Sequence, residues 1–328
     1  MAPPTHVIQT RPTLTDSPPD PTPGPLRPPT PPPPSGPGYW QPPPPPPRSI
    51  FPPAPPGLYP TPADPLVSAD FNGWWRRSFW LLKLYWRPAA LVQLLWVLPL
   101  LVSGAVAAAL LVGPVNDLID TPPEVDPDFH PFLPALYALV PLGLLTGLLA
   151  LLASLATLHL ALQAALGRPL SIPVALRTAG PRLPAYLGWG FLGGLLTLVG
   201  FVCCILPGYY VAVVLMLLPS VVLLERGNLI GRCFRLFHAR PGDALARLLT
   251  TVGLSGAAGV AEQLLLGLAS TLFGMFTVDG ISAAGFVVAL VVATVFSGAS
   301  QVVLAPLHLT TYTDMRARHE PFSAAYLH

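Results

Sequence analysis

Six apolar runs, each long enough to cross a bilayer, leave this chain few ways to fold. They are 90–113, 134–160, 183–206, 208–224, 248–276 and 282–307. A crossing takes about 20 mainly apolar helical residues. The second run continues helically to Leu166 and the fifth is longer than one crossing, so both are expected to tilt or protrude. The connectors fix a direction. Every Lys and Arg lies before the first run, between the second and third, between the fourth and fifth, or after the sixth. The connector after the first run, "NDLIDTPPEVDPDFHP", holds five acids and no base. Loops retained in the cytoplasm are the Lys/Arg-rich ones. The expectation is an all-α, polytopic bundle of six spans in the plasma membrane, with both termini cytoplasmic.

Composition agrees. Charged residues make up 10% of the chain and mean hydropathy is +0.59, whereas a soluble domain is about 25% charged. A net charge of +2 is too small to suggest nucleic acid. Cys203, Cys204 and Cys233 form no CxxC pair and have no His at ligand spacing, so neither a disulfide framework nor a zinc site is expected. No cofactor is expected either. Of the 46 prolines, 28 fall within residues 1–66. That stretch has almost no aliphatic periodicity and reads as a disordered, locally polyproline II tail ahead of a membrane domain at 67–328. It serves as a tether or, through Pro42–Pro47 and Arg48, as a docking strip for a proline-recognising or envelope protein.

Between tail and first span lies "DFNGWWRRSFWLLKLYWRP". On a helix, Arg76, Lys83 and Arg87 share one sector with Arg77 at its edge, opposite Trp74, Trp75, Tyr85 and Trp86. Four cations make a crossing costly, so the stretch, Trp80 included, reads as an interfacial anchor on anionic lipid, separated from the first span by Pro88. "RGNLIGRCFRLFHARPGDALAR" repeats the pattern, with Ile230, Cys233, Phe234 and Phe237 in one stripe and Arg232, Arg235, His238 and Arg240 over the remainder. "LSIPVALRTAGPRLP" is a shorter segment of the same kind.

This order of parts resembles a family of bacterial polytopic proteins known by the glycerophosphoryl diester phosphodiesterase membrane domain. The resemblance covers roughly residues 66–328. It rests on the proline-rich tail running into an aromatic basic helix, and on "GRPLSIPVALRTAGPRLPAYLG", "LPSVVLLERGNLIGRCFRLFHARPGDALARLL" and the terminal "TTYTDMRARHEPFSAAY". The chain departs from it at Arg232-Cys233, where the family often has Arg-Ser, and in a very short turn between the third and fourth spans. The phosphodiesterase barrel is a separate unit of about 250 residues. The resemblance therefore implies a membrane module without that activity.

Glu262, followed by Gln263, is the one acid well inside an apolar run, and a charge at mid-bilayer costs about 2.5–3.5 kcal/mol. It is read either as a coupling carboxylate or as a hydrogen-bonded, protonated carboxyl between helices. His159, Gln163 and His308 lie nearer the cytoplasmic ends of their runs, as vestibule or interfacial groups. The small-residue repeats Gly190–Gly194 and Ser255–Gly259 read as close helix packing. Glu225 and Arg226, with Asp314, Arg316, Arg318 and Glu320, are placed to tie the fourth and sixth spans at the cytoplasmic surface. No nucleophile–base pair, phosphate loop or HExxH signature occurs. The leading expectation is a non-catalytic module organising envelope lipids or partner proteins. The alternative is a transporter or carrier of lipid or small molecules that uses Glu262.

Overall fold

A computed structural model describes residues 65–322 apart from 69, 123, 125, 127, 240, 278, 279 and 321, with backbone alone for 241, 243 and 244. The proline-rich stretch through residue 64, with its docking strip, and Arg240 lie outside the described residues. The described chain is almost wholly helical: α1 (Phe71–Asp120), α2 (Leu133–Ala165), α3 (Ile172–Ala179), α4 (Leu183–Cys203), α5 (Ile205–Leu215), α6 (Leu218–Leu224), α7 (Leu229–Ala239), α8 (Pro241–Leu272) and α9 (Ala283–His319). Six helical stretches are long and apolar enough to cross a membrane, one for each expected run. Their large side chains point outward: Phe191, Leu198 and Val202 of α4, and Val260, Leu264 and Leu272 of α8, are all more than half exposed. In water such patches would drive association. In hydrocarbon they are the favourable surface. This is a six-span membrane protein.

The fifth run was expected to remain helical to 276. The helix ends instead at Leu272, and Gly274 takes a positive φ of 62° that a side chain would disfavour. The chain then pairs Phe276–Thr277 (β1) with Gly280–Ile281 (β2) as a small antiparallel hairpin. Asn116 of α1 serves that hairpin as a strand partner would, its Oδ1 accepting from Ile281 N (2.7 Å) and its Nδ2 donating to Ile281 O (3.1 Å). Gly200 and Gly208 allow the tight α4–α5 turn through Cys204. A Cβ on Gly200 would sit 2.9 Å from the Gly208 Cα.

Pro88 does not separate an anchor from a span; α1 runs unbroken through it. An internal proline removes one backbone hydrogen bond, and here the buried stripe Trp74, Ser78, Leu81, Tyr85, Ala89, Val92 and Trp96 continues across it at helical spacing. The expected anchor residues therefore divide. Trp74 and Arg77 are buried and Trp75 and Trp80 half-buried, while Arg76, Lys83, Trp86 and Arg87 stay exposed.

Packing is densest at the end carrying the basic connectors, called here the basic end. Leu304 to Met315 of α9 is buried on nearly every side, as a central helix must be. Two of its threonines bond back to the helix, Thr310 Oγ1 donating to Pro306 O and Thr313 Oγ1 to Leu309 O, while Thr311 Oγ1 is buried without a hydrogen bond. Pro306 leaves the Val302 carbonyl without its helical donor, and the Tyr85 hydroxyl supplies one at 2.8 Å. Leu66 and Val67, expected at the tail boundary, are buried against this same end, and Ser68 N donates to Asp314 Oδ1. On α7 the buried stripe is Leu229, Cys233, Leu236 and Phe237, shifted from the expected one. The helix folds back along α5 and α6, and Tyr210 packs its ring on Phe234 and Phe237.

Candidate functional site

All six spans contribute to one central cavity of about 940 Å³ above the packed basic end. Its existence follows from the small residues. Gly190 and Gly194 on α4 and Gly256 on α8 line it, and a Cβ added at any of them meets nothing within 4 Å. In the repeats 190–194 and 255–259, expected to bring helices into contact, Gly193 does let α4 approach Leu215 of α5, whereas Gly190, Gly194 and Gly256 hold space open. Small-xxx-small spacing permits close approach only when a partner helix arrives, and here α4 and α8 face each other across the void.

Most of the wall is apolar, with Trp96, Leu151, Val213, Met216 and Val252 among its residues. Gln93 at its edge is already committed: Trp96 Nε1 donates to its Oε1 (2.6 Å), and its Nε2 donates to Thr157 Oγ1 (3.0 Å), tying α1 to α2. A second polar group is not committed. Ser297, Gln301 and His308 line the cavity from α9. Spacings of 4 and 7 put them within roughly 40° of one another at 100° per residue. Among the described residues none of the three side chains makes a hydrogen bond, and His308 Nε2 is buried without a partner. Of the three, His308 Nε2 is the atom buried without a partner, while Ser297 is half-buried and Gln301 exposed, so the stripe is open to something that enters the cavity. The lining contains no Asp, Glu, Lys or Arg.

The residues expected to form an intramembrane polar site are not brought together. Glu262 is half-buried and Gln263 exposed on α8, and neither lines the cavity. Gln163 is buried near the basic end, where its Oε1 accepts from Ser171 N (2.9 Å) and fixes the entry to α3. His159 lies one turn earlier, its Nδ1 buried without a hydrogen bond. Of that vestibule group only His308 reaches the cavity. Ser297, Gln301 and Gln93 escaped notice in the sequence, although Ser297 and Gln301 share one stripe of an otherwise apolar run with His308, which was noticed.

The basic end carries the second polar constellation. Glu225, at the end of α6, accepts from Arg232 Nε (2.7 Å) and from the Tyr312 hydroxyl (2.6 Å), and Glu320 accepts from Arg232 (2.5 Å) and Arg316 (2.6 Å). The expected tie between fourth and sixth spans thus exists, with Arg232 of α7 rather than Arg226 at its centre. Burial alone would raise the Glu320 carboxyl, but hydrogen bonds from Arg316 and Arg232 outweigh it and hold the group below the usual range. Deeper still, Asp314 pairs with Arg247 (3.1 Å) and Arg318 (3.0 Å), all three almost fully buried. Arg235 is exposed on the outer face of α7. Among the described residues no cluster of His, Cys, Asp and Glu is suited to a metal ion.

Comparisons with family models, with curated proteins and with solved structures find no match to this chain.

Proposed function

We propose that this protein is a non-catalytic module of the plasma membrane that takes a lipid or similar amphiphile between its helices. The observation that carries the reading is the central cavity: apolar over most of its wall, bounded by every span, and of the size, about 300–1,000 Å³, that holds one small ligand. In this reading both termini are cytoplasmic, because the basic end then faces anionic lipid and the acidic connector faces outward. Exposed Arg76, Lys83, Trp86 and Arg87 hold that end at the headgroups. The tail acts as a tether for a protein partner, rooted in the bundle through Leu66 and Val67. A barrel-less membrane module is also what the resemblance to the phosphodiesterase membrane-domain family implies. The carrier reading built on Glu262 has less support, because that residue stands apart from the cavity.

The test is cavity filling. Gly194→Leu and Gly256→Leu each add a side chain where there is room, and both replace glycine with a better helix former. The variants should purify as stably as the wild type while losing the lipid that native mass spectrometry finds bound to it. Wild-type protein stripped of every lipid by mild detergent, or filled variants that keep the same complement, would contradict the proposal.

A further inference from the structure

Building on the amphiphile reading, we infer that the cavity selects an uncharged polar head, of the glyceride or long-chain alcohol class, against phosphate-bearing lipids. Three observations converge. The wall offers no Lys or Arg to pair with a phosphate, and its polar side chains are all neutral Ser, Thr, Tyr, Gln, Trp and His groups. An unpaired phosphate in so apolar a space would forfeit its hydration without return. The α9 stripe supplies what a hydroxyl or ester needs instead. Gln301 gives both donors and an acceptor, Ser297 a hydroxyl one turn away, and His308 an unpartnered ring nitrogen at the basic side.

Geometry also orients the guest. Helical rise separates Ser297 from His308 by about 16 Å, the reach of a head and linker rather than of a whole two-tailed lipid. The hydrocarbon chain then leaves between α4 and α8, where Gly190, Gly194 and Gly256 leave the wall low. Beyond that gap Leu198, Val260 and Leu264 present the lipid-facing surface. A chain lying there remains in the bilayer and only the head is withdrawn from it. Recognition of this kind needs no charge, no metal and no bond-making step.

The experiment uses the full chain in nanodiscs and two probes with one acyl chain, 1-oleoylglycerol and 1-oleoyl-glycerol-3-phosphate. Their affinities are measured by competition against a fluorescent monoacylglycerol. The glyceride is expected to bind at least about tenfold more tightly than its phosphate. Gln301→Leu, and separately Ser297→Ala with His308→Leu, should weaken it by about tenfold. Gln301→Lys should narrow or reverse the preference by supplying the missing cation. Equal or better binding of the phosphate probe overturns the inferred class while leaving the amphiphile reading intact. Binding of neither probe, or binding unchanged in Gly194→Leu, overturns both. Glyceride affinity unaltered by all the α9 variants shows that the stripe does not read the head, and that too overturns the inference.

Discussion

Replacing Asp314 by asparagine should be the most destabilising single change of charge in the described bundle. The carboxylate is 1% exposed, near the C-terminal end of α9. Its Oδ2 lies 3.1 Å from Arg247 Nε on α8 and 3.0 Å from Arg318 Nε, while Oδ1 accepts from Ser68 N at 3.3 Å. The amide keeps the shape but not the charge, so two buried guanidiniums come to face a neutral group. At an effective dielectric near 20, unit charges about 4 Å apart attract by about 4 kcal/mol. Removing one partner of a buried pair costs about 3–5 kcal/mol, because the desolvation of the other has already been suffered. Asp314→Asn should therefore lose about 3–5 kcal/mol of stability in a reversible SDS titration of the purified protein followed by circular dichroism.

Two companions make the result diagnostic. Glu320→Gln removes a carboxylate at the same end whose side chain is 31% exposed, and partly solvated pairs contribute no more than about 1 kcal/mol. Adding Arg247→Met to Asp314→Asn should recover part of the loss, since an apolar side chain of similar volume no longer needs a counter-charge. Asp314→Asn within about 1 kcal/mol of wild type, or no worse than Glu320→Gln, would refute the electrostatic account of how α8, α9 and the Leu66–Ser68 segment are held together.

Tyr85→Phe leaves the Val302 carbonyl without either its helical donor or the hydroxyl, and should cost about 1–3 kcal/mol in the same titration; a neutral outcome would mean that the Val302 carbonyl does not depend on Tyr85. Because the Glu320 carboxyl is lowered in the folded state, its contribution is whole above about pH 4.3 and drains away as the pH falls through the folded value. Stability measured toward acid should show a limb that Glu320→Gln lacks, and identical profiles would count against it. Cys203 and Cys204 are exposed, whereas Cys233 is buried with its thiol pushed up to about 12 by burial and by the nearby charge of Glu225. A membrane-impermeant maleimide on intact cells should label the first two and spare Cys233, and labelling of that pair only from the opposite face would invert the proposed topology.

The six spans were legible because bilayer thickness is an external ruler. Run length and hydropathy suffice without knowledge of what packs on what, and each expected run corresponds to one of the six long apolar helical stretches, although the fifth run outlasts its helix. Boundaries were less legible where tertiary contacts decide them. Nothing local says that a helix will survive Pro88; the deciding fact is that Tyr85, Ala89 and Val92 continue one buried stripe, and that stripe is set by packing on α2 and α9. The site was hardest to read for the same reason, applied to space. Gly190, Gly194 and Gly256 carry a spacing that sequence can associate with contact, yet the same absence of side chains produces a void when the facing helix stands off. A conspicuous charge such as Glu262 drew the functional expectation, while the cavity is marked by modest groups, Ser297, Gln301 and His308, whose significance lies in having no partner. An unpaired polar stripe inside a membrane bundle would be a liability if it stayed empty in hydrocarbon. Its presence in the same cavity as three glycines that make room for a guest therefore points to ligand recognition more strongly than Glu262, a carboxylate outside the cavity lining.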